Sequence, residues 1–188
     1  TKNTGPRESS FTAAAIRSVN DPRVESVEVG ADGPTTKADC LNHLYDALIA
    51  HETATGGAAK AVVLHDAEDV VHRYELRIFD GLIDRAAVIQ LPVLPLQDPH
   101  SRWIAGHYCD EFAEAHIKEL VVREAVGAAI PLAGVGCAIA RRPLAQLAAI
   151  HDGRPFAGTS MTEDYEVGLR LGALGHKTMF VRIPSDPN

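Results

Sequence analysis

Apolar and polar positions along this chain switch between a two-residue and a 3.6-residue rhythm. Val24 to Val29 (VESVEV) alternates and predicts a short strand near a sheet edge. A turn at Asp32-Gly33-Pro34 follows, and Thr36-x-x-Asp39 has the form of a capping box. Leu41, Leu44, Tyr45, Leu48 and Ile49 then fall on one helical stripe that Gly56-Gly57 ends. Ala61 to Leu64 is a continuous apolar run with β-branched Val62 and Val63, the pattern of a strand covered on both faces. Val71, Glu75, Ile78, Phe79 and Leu82 return to helical spacing, predicting a helix that starts near Val70. Ala87 to Leu91 reads as a second buried strand, and the prolines of "LPVLPLQDPHSRW" keep that stretch irregular. Asp110 to Val126 predicts a long amphipathic helix, Gly134 to Ala140 a strand and Pro143 to Ile150 a short helix. Thr162 to Leu174 predicts a helix stopped by Gly175, and Met179 to Ile183 a last strand.

Strands alternating with helices imply an α/β fold with a mostly parallel sheet flanked by helices. Such sheets bind ligands outside the carboxyl ends of their strands. The 188 residues suffice for a single domain spanning the chain, with Thr1 to about residue 12 expected to be disordered because Thr1 to Ser10 is polar.

Composition narrows the function. A net charge of −7, few aromatic residues and no basic run argue against nucleic acid as a partner. The cysteines, Cys40, Cys109 and Cys137, are odd in number and lack C-x-x-C spacing, which fits a reducing compartment. No apolar stretch is long enough to span a bilayer, and no apolar signal region is visible near Thr1.

The chemistry gathers at "VVLHDAEDVV", where three carboxylates follow a buried strand. Asp66 and Glu68 are two apart, so in an extended segment they point to one side. Two hard oxygen ligands there suit Mg²⁺ or Mn²⁺, which bind through a few carboxylates plus substrate phosphates. The plainer reading is a solvated turn whose acids cap the following helix. Lys37 opens a helix after a Gly-Pro turn, where backbone N–H groups and an ammonium favour a phosphate; otherwise it is a surface lysine. Glu163 and Asp164 open a later helix, as active-site acids or as complements to its dipole. Gly134 and Gly136 remove side-chain bulk beside an apolar strand, leaving room for a ligand or allowing tight packing.

Four segments, "GPTTKADCLN", "LHDAED", "GVGCAIARR" and "TEDYEVGLRLGALGHK", in this order and spacing resemble the family 2 glycosyltransferases of the GT-A fold. The resemblance covers roughly residues 30 to 183, and its wording is most similar to the glycosyltransferase domain of the bacteriophage adsorption protein B type. It implies a three-layer, Rossmann-like architecture and an inverting, metal-dependent transfer from a nucleotide-diphosphate sugar, such as a UDP-sugar, to a glycan or lipid-linked acceptor. Asp66 and Glu68 stand in a D-x-E version of the family's metal-binding D-x-D motif, with Asp69 as a possible substitute ligand. Lys37 and Asp66 would approach the nucleotide diphosphate. Asp164, within the T-E-D segment with Glu163, would be the general base. Gly134, Gly136 and Cys137 would line the acceptor side, and Arg102 and Trp103 are further candidates there.

The resemblance also carries departures. The family begins with an apolar strand holding the nucleoside, for which no candidate precedes Ala13. It also places Q-x-x-R-W after T-E-D, followed by transmembrane helices, whereas "QDPHSRW" comes before T-E-D and with other spacing. The expectation is a piece of a longer enzyme on the cytoplasmic face of the bacterial inner membrane, reaching the membrane only through segments outside this chain. An open sheet edge able to self-associate and weak nucleotide binding by this piece are further expectations. The competing readings are a catalytically silent glycosyltransferase fold serving as a scaffold linked to phage adsorption, and a nucleotidyltransferase.

Overall fold

A computed structural model describes residues 11–30, 35–97, 100–158 and 163–183. The turn expected at Asp32-Gly33-Pro34, and Thr162, lie outside the described residues. The chain divides into two compact units, residues 1–35 and 36–188.

In the first unit, helix α1 spans Phe11–Ser18, so residues 11 and 12 are helical rather than disordered. The strand expected at Val24 to Val29 does not form. Alternation sorts side chains to two sides, but a strand also needs a neighbouring backbone to bond, and this segment pairs with none among the described residues.

The second unit holds the sheet. Helix α2 (Lys37–Thr55) starts as its sequence requires. Thr36 Oγ1 accepts the Asp39 N–H at 3.1 Å while Asp39 Oδ2 accepts the Thr36 N–H at 3.0 Å, a reciprocal capping box. Gly56 closes the helix in the left-handed conformation. Strand β1 (Ala61–Leu64), helix α3 (Glu75–Leu82) and strand β2 (Val88–Gln90) follow. Helix α3 begins at Glu75 rather than near Val70, because the acidic segment is spent on a turn. A continuous helical run then comprises α4 (Arg102–Ala113), a π-helical segment (Glu114–Glu119) and α5 (Leu120–Ala125). It starts eight residues before the expected Asp110 and absorbs Arg102 and Trp103. Strand β3 (Cys137–Ala140), helices α6 (Arg141–Ile150) and α7 (Glu163–Ala173), and strand β4 (Thr178–Phe180) complete the unit.

The strand order is β1-β3-β2-β4. Strands β1, β2 and β4 share one direction, and β3 is inserted antiparallel between β1 and β2. The sheet is thus mixed, with three of four strands running the same way. Side chains alternate between its faces. Val62, Leu64, Val88, Cys137 and Ile139 face Tyr45 of α2, Leu144 and Leu147 of α6, and Val167 and Leu171 of α7. Val63, Ile89 and Ala138 face Phe79 of α3 and Ile83. Both faces are covered, which is why β1 and β2 read as continuous apolar runs. β1 nevertheless lies at an edge, with no partner strand on its outer side among the described residues.

Two polar clamps fix α2 on this sheet. Buried Asn42 donates to Phe156 O at 2.9 Å and accepts the Phe156 N–H at 3.2 Å. Glu52 pairs with Arg141 at 2.7 Å and also accepts the Ala59 N–H at 2.8 Å. Lys37, at the other end of α2, is thereby held over the carboxyl ends of β1 and β2.

Candidate active site

The strand register defines the site. Leu64, the last residue of β1, and Gln90, the last of β2, both pair with Cys137, the first of β3. The acidic segment after β1 and the glycine loop before β3 therefore emerge at the same end of the sheet.

After β1 the chain folds tightly. Asp69 N–H donates to Asp66 O at 3.2 Å, and Asp69 Oδ2 accepts the Asp66 N–H at 2.9 Å. The same Oδ2 lies 3.1 Å from His65 Nδ1, while His65 Nε2 lies 2.6 Å from Glu75 Oε1. Asp69 Oδ2 is thus engaged in shaping the turn. Glu68 is exposed and makes no hydrogen bond or ion pair among the described residues.

Asp66 Oδ1 accepts from Lys37 Nζ at 2.8 Å, and the same ammonium lies 3.7 Å from Asp164 Oδ2. Residues from three elements, far apart in sequence, meet at this lysine. Partial burial lowers the Lys37 pKa, but the hydrogen bond and charge of Asp66, with Asp164 and Glu163 behind it, more than offset this and raise it. Lys37 is thereby held in its charged form more firmly than an ordinary lysine. Asp164 stands in the first turn of α7, where its Oδ1 accepts the Tyr165 N–H at 2.7 Å, leaving Oδ2 to face Lys37 and the glycine loop. Glu163 beside it is buried, 5% exposed, and acts on Lys37 through its charge.

The glycine loop is held from below by Gln90, a fully buried amide that the sequence reading did not single out. Its Oε1 accepts the Ala133 N–H at 2.8 Å, and its Nε2 donates to Val135 O at 2.9 Å and Leu91 O at 2.8 Å. The available signal was a lone amide within the apolar run "AAVIQL". Gly134 adopts φ +78°, and a Cβ there would sit 1.8 Å from Asp164 Oδ2 and 3.1 Å from Lys37 Nζ. Only glycine lets the carboxylate approach so closely. One turn along α7, a Cβ on Gly168 would sit 2.2 Å from Ile130 O, and one on Gly172 2.4 Å from Ala129 Cβ. These two glycines let the segment before the loop lie directly on the helix that carries Asp164.

Lys37, Asp66, Asp164 and Gly134 thus come together. Two other candidates do not join them. Cys137 is completely buried in the core, and burial, reinforced by Asp164, raises its thiol pKa; it packs rather than contacting an acceptor. Trp103 is 93% exposed on the first turn of α4, so its ring touches almost nothing.

Among the described residues, no three His, Cys, Asp or Glu side chains are grouped to hold a metal ion. The donors present fit another mode, in which Mg²⁺ or Mn²⁺ takes one or two carboxylates and completes its shell with water and substrate phosphates. The second oxygen of Asp66 has no protein partner among the described residues, and Glu68 is two residues on.

A mixed sheet between helix layers, with this site at its strand ends, is the build of a GT-A-like glycosyltransferase. The family model described as "Glycosyl transferase family group 2" matches residues 61–185, and the chain belongs to that family. It is 43% identical over 163 residues to "Bacteriophage adsorption protein B" of Escherichia coli (strain K12), a match covering 87% of this chain and 22% of that protein. "Bacteriophage N4 adsorption protein B" of Escherichia coli O157:H7 matches with the same identity and coverage. The chain therefore spans 22% of the length of these relatives.

Proposed function

We propose that this domain transfers a sugar, with inversion, from a nucleotide-diphosphate sugar such as a UDP-sugar to an acceptor hydroxyl of a glycan or a lipid-linked glycan. The observation that carries this reading is Lys37 Nζ lying 2.8 Å from Asp66 and 3.7 Å from Asp164, beside Gly134. In this reading Asp164 Oδ2 takes the proton of the acceptor hydroxyl as its oxygen attacks the anomeric carbon. Tyr165 N–H holds the other carboxylate oxygen, which fixes the direction of Oδ2. Lys37 exchanges its carboxylate partners for the diphosphate, placing a fixed positive charge where negative charge develops on the leaving group. Asp66 and Glu68 would hold Mg²⁺ or Mn²⁺, which when bound supplies Lewis-acid stabilisation of the departing diphosphate. Glu163 adds buried negative charge, a minor contribution to the raised pKa of Lys37.

We place the whole protein on the cytoplasmic face of the bacterial inner membrane by family likeness. No described helix of this chain is long and apolar enough to cross a membrane.

The test is Asp164→Asn in the full-length protein, assayed for nucleotide release from a panel of nucleotide sugars, with thermal shift with and without Mn²⁺ as the binding readout. Transfer is expected to fall by about 10² to 10⁴ with nucleotide binding retained. Equal turnover by the variant would reduce Asp164 to a helix-terminal acid.

A further inference from the structure

A cleft of about 180 Å³ opens beside the segment that leads into the glycine loop. Phe112 and His116 of the helical run form one wall, and Leu132, Ala133 and Tyr165 the other. Tyr165 follows Asp164 and Ala133 precedes Gly134, so the cleft adjoins the proposed base.

His116 makes this more than an apolar dent. It lies in the π-helical segment, a distortion frequent at functional sites, and is only 5% exposed. Phe112 stacks on its ring at 5.4 Å and Phe180 meets it edge-on at 5.8 Å, so the ring cannot turn freely. Its Nδ1 accepts the Val93 N–H at 3.1 Å, and burial lowers its pKa, so the neutral ring carries its proton on Nε2. That N–H has no protein acceptor among the described residues. His116 lines the cleft, and with Nδ1 occupied Nε2–H is the ring donor left for an occupant. The rim is acidic: Glu119 is tied to Arg123 at 3.0 Å, and Glu111 has no ion-pair partner among the described residues.

An occupant must meet three conditions. It must fit a space worth about six water molecules of liquid, which suits one sugar ring and not a nucleotide. It must offer an oxygen to Nε2–H, which an alkyl chain cannot. It must tolerate carboxylates at the rim, which a phosphate does not. A pyranose ring has an apolar C–H face for Tyr165 and Leu132, and hydroxyls that both accept from His116 and donate to Glu111. We propose that this cleft is the acceptor subsite and takes an uncharged sugar ring of a carbohydrate acceptor, rather than a lipid phosphate. This inference rests on the glycosyltransferase reading.

Heteronuclear NMR titration of the 188-residue chain tests it, with UDP plus Mg²⁺ as one probe. The other probes are methyl glycosides of glucose, mannose and N-acetylglucosamine, and geranyl phosphate. At least one glycoside is expected to shift Ala115, Ala133, Tyr165 and the His116 Nε2–H, without displacing UDP. Tyr165→Ala and Glu111→Gln, both at the open rim, should each weaken the glycoside at least tenfold and leave UDP binding unchanged. UDP binding with no glycoside response in the cleft overturns the inference alone, as does geranyl phosphate binding there in place of the glycosides. Absence of UDP binding by the full-length protein as well as by this chain overturns the glycosyltransferase reading and the inference with it.

Discussion

Replacing Gly134 by alanine puts the largest stress on the proposed chemistry for the smallest change in composition. The added Cβ would lie 1.8 Å from Asp164 Oδ2, whereas ordinary contact begins at 3.4 Å, so the oxygen must retreat by about 1.6 Å. The obstructed atom is the end of a side chain, which can rotate; the backbone need not break. The left-handed φ of +78° adds about 1–2 kcal/mol for a residue bearing a Cβ. For a domain of this size that is a fall in Tm of about 2–8 °C. Activity should suffer more, since misplacing a reacting group by about 1 Å can cost about 10²-fold in rate. Gly136→Ala is the control. It shares a positive φ, +58°, but its Cβ would meet only Val93 Cγ2 at 3.8 Å and Gln90 Nε2 at 3.9 Å. Nucleotide release and thermal scans on both variants separate the effects: similar losses of Tm, with transfer falling about 10²-fold or more only in Gly134→Ala. Equal turnover by the two variants would refute the claim that the Gly134–Asp164 contact sets the position of the base.

Asn42→Ala leaves the Phe156 N–H and C=O unpaired in the core and should cost about 3 kcal/mol; a thermal scan showing less than about a third of that would mean the segment relaxes to water. Arg141 hydrogen bonds, helped by the Ala59 N–H, hold the Glu52 carboxyl below its ordinary 4.5. The folded-state pKa is depressed, so this stabilisation is complete above about pH 4.5 and lost as pH falls through the folded value. Denaturant titrations of wild type and Glu52→Gln should therefore converge between about pH 6 and about pH 3, and a constant gap would contradict the assignment. The outer edge of β1, unpaired among the described residues, should support concentration-dependent self-association; sedimentation showing a monomer at every concentration would mean that the edge is covered.

Sequence rhythm located the parts of the fold governed by local rules. Ala61 to Leu64 matches β1 residue for residue, and the capping box at Thr36 and Asp39 starts α2 where the spacing placed it. The misses lie where distant partners decide. VESVEV alternates yet forms no strand, because no neighbouring backbone pairs with it among the described residues. The antiparallel insertion of β3 and the π-helical turn around His116 leave no periodic trace in the sequence. The acids and Lys37 were legible as separate features at helix and strand ends, but their meeting depends on which strands pair. Gly134 read equally well as space for a ligand or as packing; the structure gives it a closer duty, room for a carboxylate. Gln90 shows the converse, since its amide serves a loop more than forty residues ahead of it.

Contact of the Ile130 backbone with α7 at Gly168 has a consequence for how this domain can change over generations. The seat of Asp164 is set by main-chain atoms that no side-chain exchange can re-space, so a drift there has no nearby compensating mutation. Novelty must instead accumulate on what hangs from that frame, such as the rim at Glu111 and Tyr165 or the exposed Leu94 and Leu96. A mutant library confined to those positions, with 129–136, Glu163, Asp164 and 166–172 held fixed, would explore the proposed acceptor specificity while leaving the proposed base in place.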